Sequence, residues 1–202
     1  MRAQETDTVA ELGMRDRKKA RTRETIRTAA LDLFEEQGFE RTTVDQICRR
    51  ADVAHRTFFR YYATKEALLF GWDYGQTVLD ALAAAPADLS LWEAFDHALA
   101  ATDGRMEEPA EHTTRRRALR REFLEIKSVR DYALVLVDAL GQRAADVAAE
   151  RLGVDPHTDL RPLALGAMLA GMIRRHVLIG SESGGTLSDW ADAFQDVLRP
   201  TR

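Results

Sequence analysis

Residues 43–62, TVDQICRRADVAHRTFFRYY, admit few folds, because apolar side chains recur at three- and four-residue steps on both sides of a break at Ala51-Asp52-Val53. The spacing predicts two short helices across a sharp turn. Thr43 is placed to cap the free N–H groups of a helix beginning at Val44, with Asp45 and Gln46 in its positively polarised first turn. Val44, Ile47 and Ala51 share the inward face. The turn calls for a residue that tolerates positive φ, which Asp52 does better than most non-glycine residues. The second helix is expected from Ala54 to Tyr61 or Tyr62, burying Phe58 and Tyr62, with Val53 closing the corner. His55, Arg56, Thr57, Phe59, Arg60 and Tyr61 then lie at or near the opposite surface, a basic, hydrogen-bonding face flanked by aromatic rings.

The major groove of DNA admits a helix and presents donor and acceptor patterns that Arg, His and Thr can read. Arg56 is the first candidate for a base contact, since its planar fork matches the two acceptors of guanine. Thr43, Thr57, Arg60, Tyr61 and Lys65 sit where hydroxyls and cations would meet phosphates and fix the register. The competing reading is a solvated polar face on an ordinary helix pair. Nothing within the pair alone separates the two.

The surrounding sequence does. A basic lead-in, a helix ending in FEEQGFERTTV, and then ICRRADVAHRTFFRYYATKEALL resemble the TetR family of one-component transcriptional regulators over about residues 15–69. The Gly38-Phe39 stop, the Thr42-Thr43-Val44 start, Val53 in the turn and the aromatic run into Lys65-Glu66-Ala67-Leu68 fall in the family's order. The resemblance implies that Ala54, His55 and Arg56 approach bases while Thr43, Thr57, Phe59, Tyr61 and Lys65 approach the backbone. Two positions depart from the pattern. Phe59 stands where the family most often has Tyr, so its contact is limited to van der Waals packing. Asp52 stands where many relatives carry Gly.

Charge is informative when divided. Residues 15–65 hold 13 Lys and Arg against 8 Asp and Glu, a net of +5, whereas residues 66–202 hold 15 against 22, a net of −7. The chain as a whole is at −4, yet positive charge sits on the module that needs it. Within the basic run 15–23, Arg17, Lys18 and Arg21 are candidates for an arm or helix start touching phosphate or an adjacent minor groove. Residues 1–14 lack the apolar core of an export signal and read as a disordered tail. The longest apolar passage, 163–173, is too short to span a bilayer, so a cytoplasmic protein without a membrane partner is expected. The lone Cys48 reads as packing.

Only five prolines and an abundance of Ala, Leu, Arg and Glu, with no alternating β-branched run, make the chain all-α. Nine helices are expected: three in a DNA-binding domain over 15–63, and six in a second domain over 64–202. The six are expected at 64–84, 90–102, 112–127, 129–152, 159–179 and 187–198. Ala164, Ala167 and Gly171 permit close helix approach, and Leu187, Trp190, Ala191, Phe194 and Leu198 form an apolar stripe. Together these two helices read as a homodimer contact, since a helix-turn-helix on a two-fold operator in double-stranded DNA needs two copies. The TetR resemblance further implies a cavity for a small-molecule effector, with Trp72, Phe95, Phe123, Met168 and Met172 as lining candidates. His176, beside Arg174 and Arg175, is a candidate for an anionic group. The resemblance also implies repression of a palindromic operator, released by a small effector; similarity of the RTFFRYY segment to regulators with an RTFFRYF-type recognition helix hints at a lipophilic or acyl-type one.

No cofactor or enzymatic activity is expected. The five histidines show no HExxH or Cys-His metal spacing, and neither a Gly-rich phosphate loop nor a GxSxG motif occurs. The remaining alternative is a helical adaptor that acts through protein contacts without binding DNA.

Overall fold

The computed structural model describes residues 2–70, 72–102 and 110–175 together with Val177, Asp189, Ala193 and Asp196. Side chains are described for 17–70, 75–102, 114–175 and those four residues. Among them all regular secondary structure is helical: α1 (Arg2–Gln37), α2 (Val44–Arg50), α3 (His55–Tyr61), a 3-10 turn (Glu66–Leu69), α4 (Trp72–Ala84), α5 (Leu91–Thr102), α6 (Ala110–Phe123), α7 (Lys127–Leu152) and α8 (Arg161–Arg174). The ninth helix, expected over 187–198, lies almost wholly outside the described residues.

Three elements differ from the sequence reading. The first fourteen residues, expected as a disordered tail, continue α1 backward to Arg2; Gly13 is the one strong helix breaker among them, and no proline interrupts them. The helix expected to start at Thr64 is instead a 3-10 turn ending at Leu69, followed by extended backbone at Phe70 (φ −116°, ψ 129°), and α4 begins only at Trp72. Phe70 is buried by this bend and Gly71 follows it, a residue with the least helix preference after proline. The chain also divides otherwise than at 63/64: one compact unit holds α1, α2, α3, the 3-10 turn and α6, and the other holds α4, α5, α7 and α8.

The first unit is built on α1. Ile26, Ala30, Leu33 and Phe34 form its inward stripe at helical spacing, and Gly38 ends the helix at φ +84°, a conformation that side-chain-bearing residues avoid. Phe39 follows into the core. Its ring lies 5.1 Å from that of Phe34, and Phe123 of α6 completes a three-ring cluster at 6.1 Å from Phe34 and 5.7 Å from Phe39. Each such ring contributes about 1.5–3 kcal/mol by burial, with edge and tilted pairings adding about 0.5–1.5 kcal/mol. Arg115 fastens α6 to the outside of α1, donating to Glu35 Oε1 at 2.5 Å and to Asp32 Oδ1 at 2.7 Å, an arrangement that drives its pKa above the ordinary arginine value.

In the second unit, α7 and α8 cross at two glycines. A Cβ on Gly141 would fall 2.9 Å from the Gly166 carbonyl oxygen, and one on Gly166 would strike that of Gly141, so the backbones touch where only hydrogen fits. Leu165, Leu169 and Met172 of α8 are buried, as are Ala144, Ala145 and Ala148 of α7. Ser90 and Glu93 cap α5 reciprocally (2.8 and 3.3 Å). Arg151, near the end of α7, donates to the carbonyls of Ala85, Pro86 and Leu89 and thereby satisfies the connection after α4.

Candidate nucleic-acid interface

The helix-turn-helix begins with a reciprocal cap. Gln46 N donates to Thr43 Oγ1 (3.2 Å), and Thr43 N donates to Gln46 Oε1 (2.8 Å). The same Gln46 oxygen accepts from Gln37 Nε2 at 3.0 Å, tying α2 to the end of α1. Arg50 makes a bidentate pair with Glu36 (2.8 and 2.6 Å), which fixes geometry more than stability because both groups are solvated; the pair holds the Glu36 carboxyl below its usual pKa.

The turn closes as a Schellman motif. Asp52 takes φ +52°, Val53 N donates to Cys48 O (3.0 Å), and Asp52 N donates to Arg49 O (3.3 Å). This bend aims α3. Phe58 is fully buried and Tyr62 nearly so, with the Tyr62 hydroxyl donating to Arg23 O at 3.2 Å to tie the end of α3 back to α1. The other side of α3 is open, as the spacing predicts: Ala54, His55, Arg56, Phe59 and Arg60 are exposed, and Thr57 and Tyr61 half-buried. Among the described residues Arg56 has no ion pair or side-chain hydrogen bond, leaving its fork available. Arg60 lies over the Tyr61 ring at 4.9 Å. Phe59 is 55% exposed, a large apolar group facing water, in a T-shaped arrangement with the His55 ring.

Two candidates are employed differently from the sequence reading. Lys65 points inward. Its Nζ donates to Phe39 O (2.8 Å) and Thr42 O (2.9 Å) and sits 4.2 Å above the Phe39 ring, and burial lowers its pKa below the ordinary lysine value. Two of its three N–H groups therefore hold the α1–α2 loop, the loop that carries the Thr43 cap. Arg17, Lys18 and Arg21 are exposed as expected, but they lie in the interior of the long α1 and not on a loose arm or helix start.

Asp45 joins the site without any signal in the sequence pattern. Its Oδ1 lies 2.5 Å from His55 Nε2, linking α2 to α3 across a shallow concavity, and the pairing of positions ten apart shows in no helical period. The candidates for an effector site are divided between the two units. Phe123 belongs to the aromatic core of the first unit; Phe95 and Met172 are buried and Met168 half-buried in the second; the side chain of Trp72 and all of His176 lie outside the described residues. Of the dimer candidates, Ala164, Ala167 and Gly171 are exposed on the face of α8 turned away from the Gly166 crossing, while Leu187, Trp190, Phe194 and Leu198 lie outside the described residues.

Among the described residues no helix is long and apolar enough to cross a membrane, and no cluster of metal-ligating side chains occurs.

The profile described as bacterial regulatory proteins, tetR family, matches residues 26–71. The Streptomyces glaucescens protein TcmR, named an HTH-type transcriptional regulator, is 33% identical over 177 residues, spanning 80% of this chain and 74% of that one. MftR of Mycobacterium tuberculosis, named as a putative transcriptional regulator of mycofactocin biosynthesis, is 30% identical over 162 residues, spanning 77% and 78%. In fold, the chain is similar to a crystal structure from Syntrophomonas wolfei described as a TetR-family transcriptional regulator, with a TM-score of 0.51 at 16% identity over 89% of this chain and 95% of that one.

Proposed function

Because the chain belongs to the TetR family and is a DNA-binding transcriptional regulator, we propose that it acts in the cytoplasm as a homodimeric repressor of a palindromic operator and is released by a small effector. The observation that carries the DNA-reading part is the open side of α3, where Arg56 stands without an ion pair among the described residues, next to His55 and Thr57. Arg56 supplies the base contact; Thr43, Thr57, Arg60 and Tyr61 meet phosphates; Arg17, Lys18 and Arg21 extend the cationic surface along α1.

Two copies are required because half-sites read by such helices repeat about 34–36 Å apart. The exposed small residues Ala164, Ala167 and Gly171, continued by exposed Leu160 and Leu163, support α8 as part of the pairing face. The second unit is the natural place for the effector, since Phe95, Met168 and Met172 supply large, adaptable apolar side chains there. The indole N–H of Trp92 is buried without a hydrogen-bond partner among the described residues, which supports an effector that carries an acceptor oxygen on an apolar body. To release DNA, that effector must bind the DNA-incompetent geometry preferentially; equal affinity for both shifts nothing.

Titrating the wild-type protein and Arg56→Ala against the DNA upstream of its own gene at two salt concentrations tests the reading. Wild type should bind specifically with a steep salt dependence, and Arg56→Ala should lose about 1–3 kcal/mol of discrimination. Equal weak binding of both proteins to any duplex contradicts the assignment of α3 as the reading helix.

A further inference from the structure

Resting on the reading that α3 enters the major groove, we infer that Asp45 of the neighbouring helix determines which base His55 selects. Asp45 stands in the first turn of α2 and His55 opens α3, and the two meet across the concavity that Cys48, Arg49, Asp52 and Val53 also line. A carboxylate can only accept. The 2.5 Å contact therefore engages Nε2 of His55 and leaves Nδ1 as the atom offered to an outside partner. The imidazole is flanked on another side by the ring of Phe59, in a T-shaped arrangement with centroids 6.4 Å apart, so its orientation is set from two directions.

Both side chains of the pair are more than half exposed, at 55% and 58%, so the pair stands on the surface that faces DNA. A carboxylate there repels phosphate and weakens binding to every duplex alike. What it supplies in return is a defined imidazole. A ring held at Nε2 presents only Nδ1 to the groove, in one direction, and so suits one base edge; an unheld ring presents either nitrogen and suits several bases. Asp45 is thus a positioning residue that sharpens specificity at the expense of general affinity.

The experiment starts from a random-sequence pool, so no operator has to be defined in advance. The wild-type protein selects duplexes from that pool, and affinities are then measured for every single-base variant of the selected duplex. The proteins compared are wild type, Asp45→Ala, Asp45→Asn, His55→Ala and the Asp45→Ala/His55→Ala double variant. Wild type should prefer one base by about tenfold at one position in each half-site. Asp45→Ala and His55→Ala should flatten that same preference, the double variant should be no flatter than either single one, and Asp45→Asn, which keeps an acceptor oxygen in place, should restore most of it. The inference is overturned if Asp45→Ala strengthens binding to all duplexes by a common factor with base preferences intact, or if its effect persists undiminished in the His55→Ala background. A wild-type protein that selects no sequence would instead remove the major-groove reading beneath it, so the two failures are distinct.

Discussion

Lys65 illustrates how much a side chain's role depends on where its stem leads. By sequence it is one more cation beside the reading helix, yet its ammonium is spent on the carbonyls of Phe39 and Thr42. Lys65→Met should therefore destabilise the helix-turn-helix by about 1–3 kcal/mol through the loss of charged hydrogen bonds to buried carbonyls. It should weaken DNA binding without changing its salt dependence. A phosphate contact behaves otherwise, since its removal lowers the slope of log K against log salt by about one; measuring that slope by anisotropy decides between them. Arg56 is the contrasting case. Its exposure follows directly from being two residues before the buried Phe58 on a short helix, so its availability is legible in the chain alone.

At the scale of the element, the turn between α2 and α3 sets the aim of everything α3 carries. Asp52 holds φ +52°, a region costing most L-residues about 1–2 kcal/mol and glycine nothing. Asp52→Gly should leave stability within about 0.5 kcal/mol of wild type, because relief of backbone strain is offset by the greater freedom of glycine in the unfolded chain. Asp52→Val should lower stability by about 1–2 kcal/mol or more, since a β-branched side chain fits that region worst. Chemical denaturation monitored by circular dichroism ranks the three proteins, and a Val variant as stable as wild type would contradict the Schellman account. The element boundaries show the same division of information. Caps at Thr43 and Ser90 are local and legible. The break at Phe70 is not, because it depends on Phe70 turning into a core assembled from distant segments.

At the scale of the molecule, α8 has two small-residue faces with different fates. Gly166 meets the backbone of Gly141, so Gly166→Val should disrupt the second unit, with an early and broadened thermal transition. Ala167 is exposed in the single chain, so Ala167→Glu should preserve the helical signal while shifting the protein from dimer to monomer in sedimentation and abolishing tight operator binding. If Ala167→Glu remains dimeric at micromolar concentration, the pairing face lies elsewhere. The arrangement of α6 likewise belongs to this scale. Its arginine-rich sequence reads as one more helix of the second unit, but Arg115 and Phe123 commit it to the first.

Features governed by neighbours within about four residues are written in the chain itself. The all-helical class, the cap at Thr43, the positive φ at Asp52, the buried Phe58 and Tyr62 and the outward Arg56 all follow from helical period and backbone sterics. Packing supplied the rest: the inward engagement of Lys65, the Asp45–His55 contact, the placement of α6 and the choice of Gly166 over Ala167 for the inner crossing. Each of these is a meeting of residues from separate elements. A periodic pattern states which face of a helix seeks a partner, but not which partner it finds, because that choice is made by shape and by the polar groups that happen to lie opposite once the elements pack.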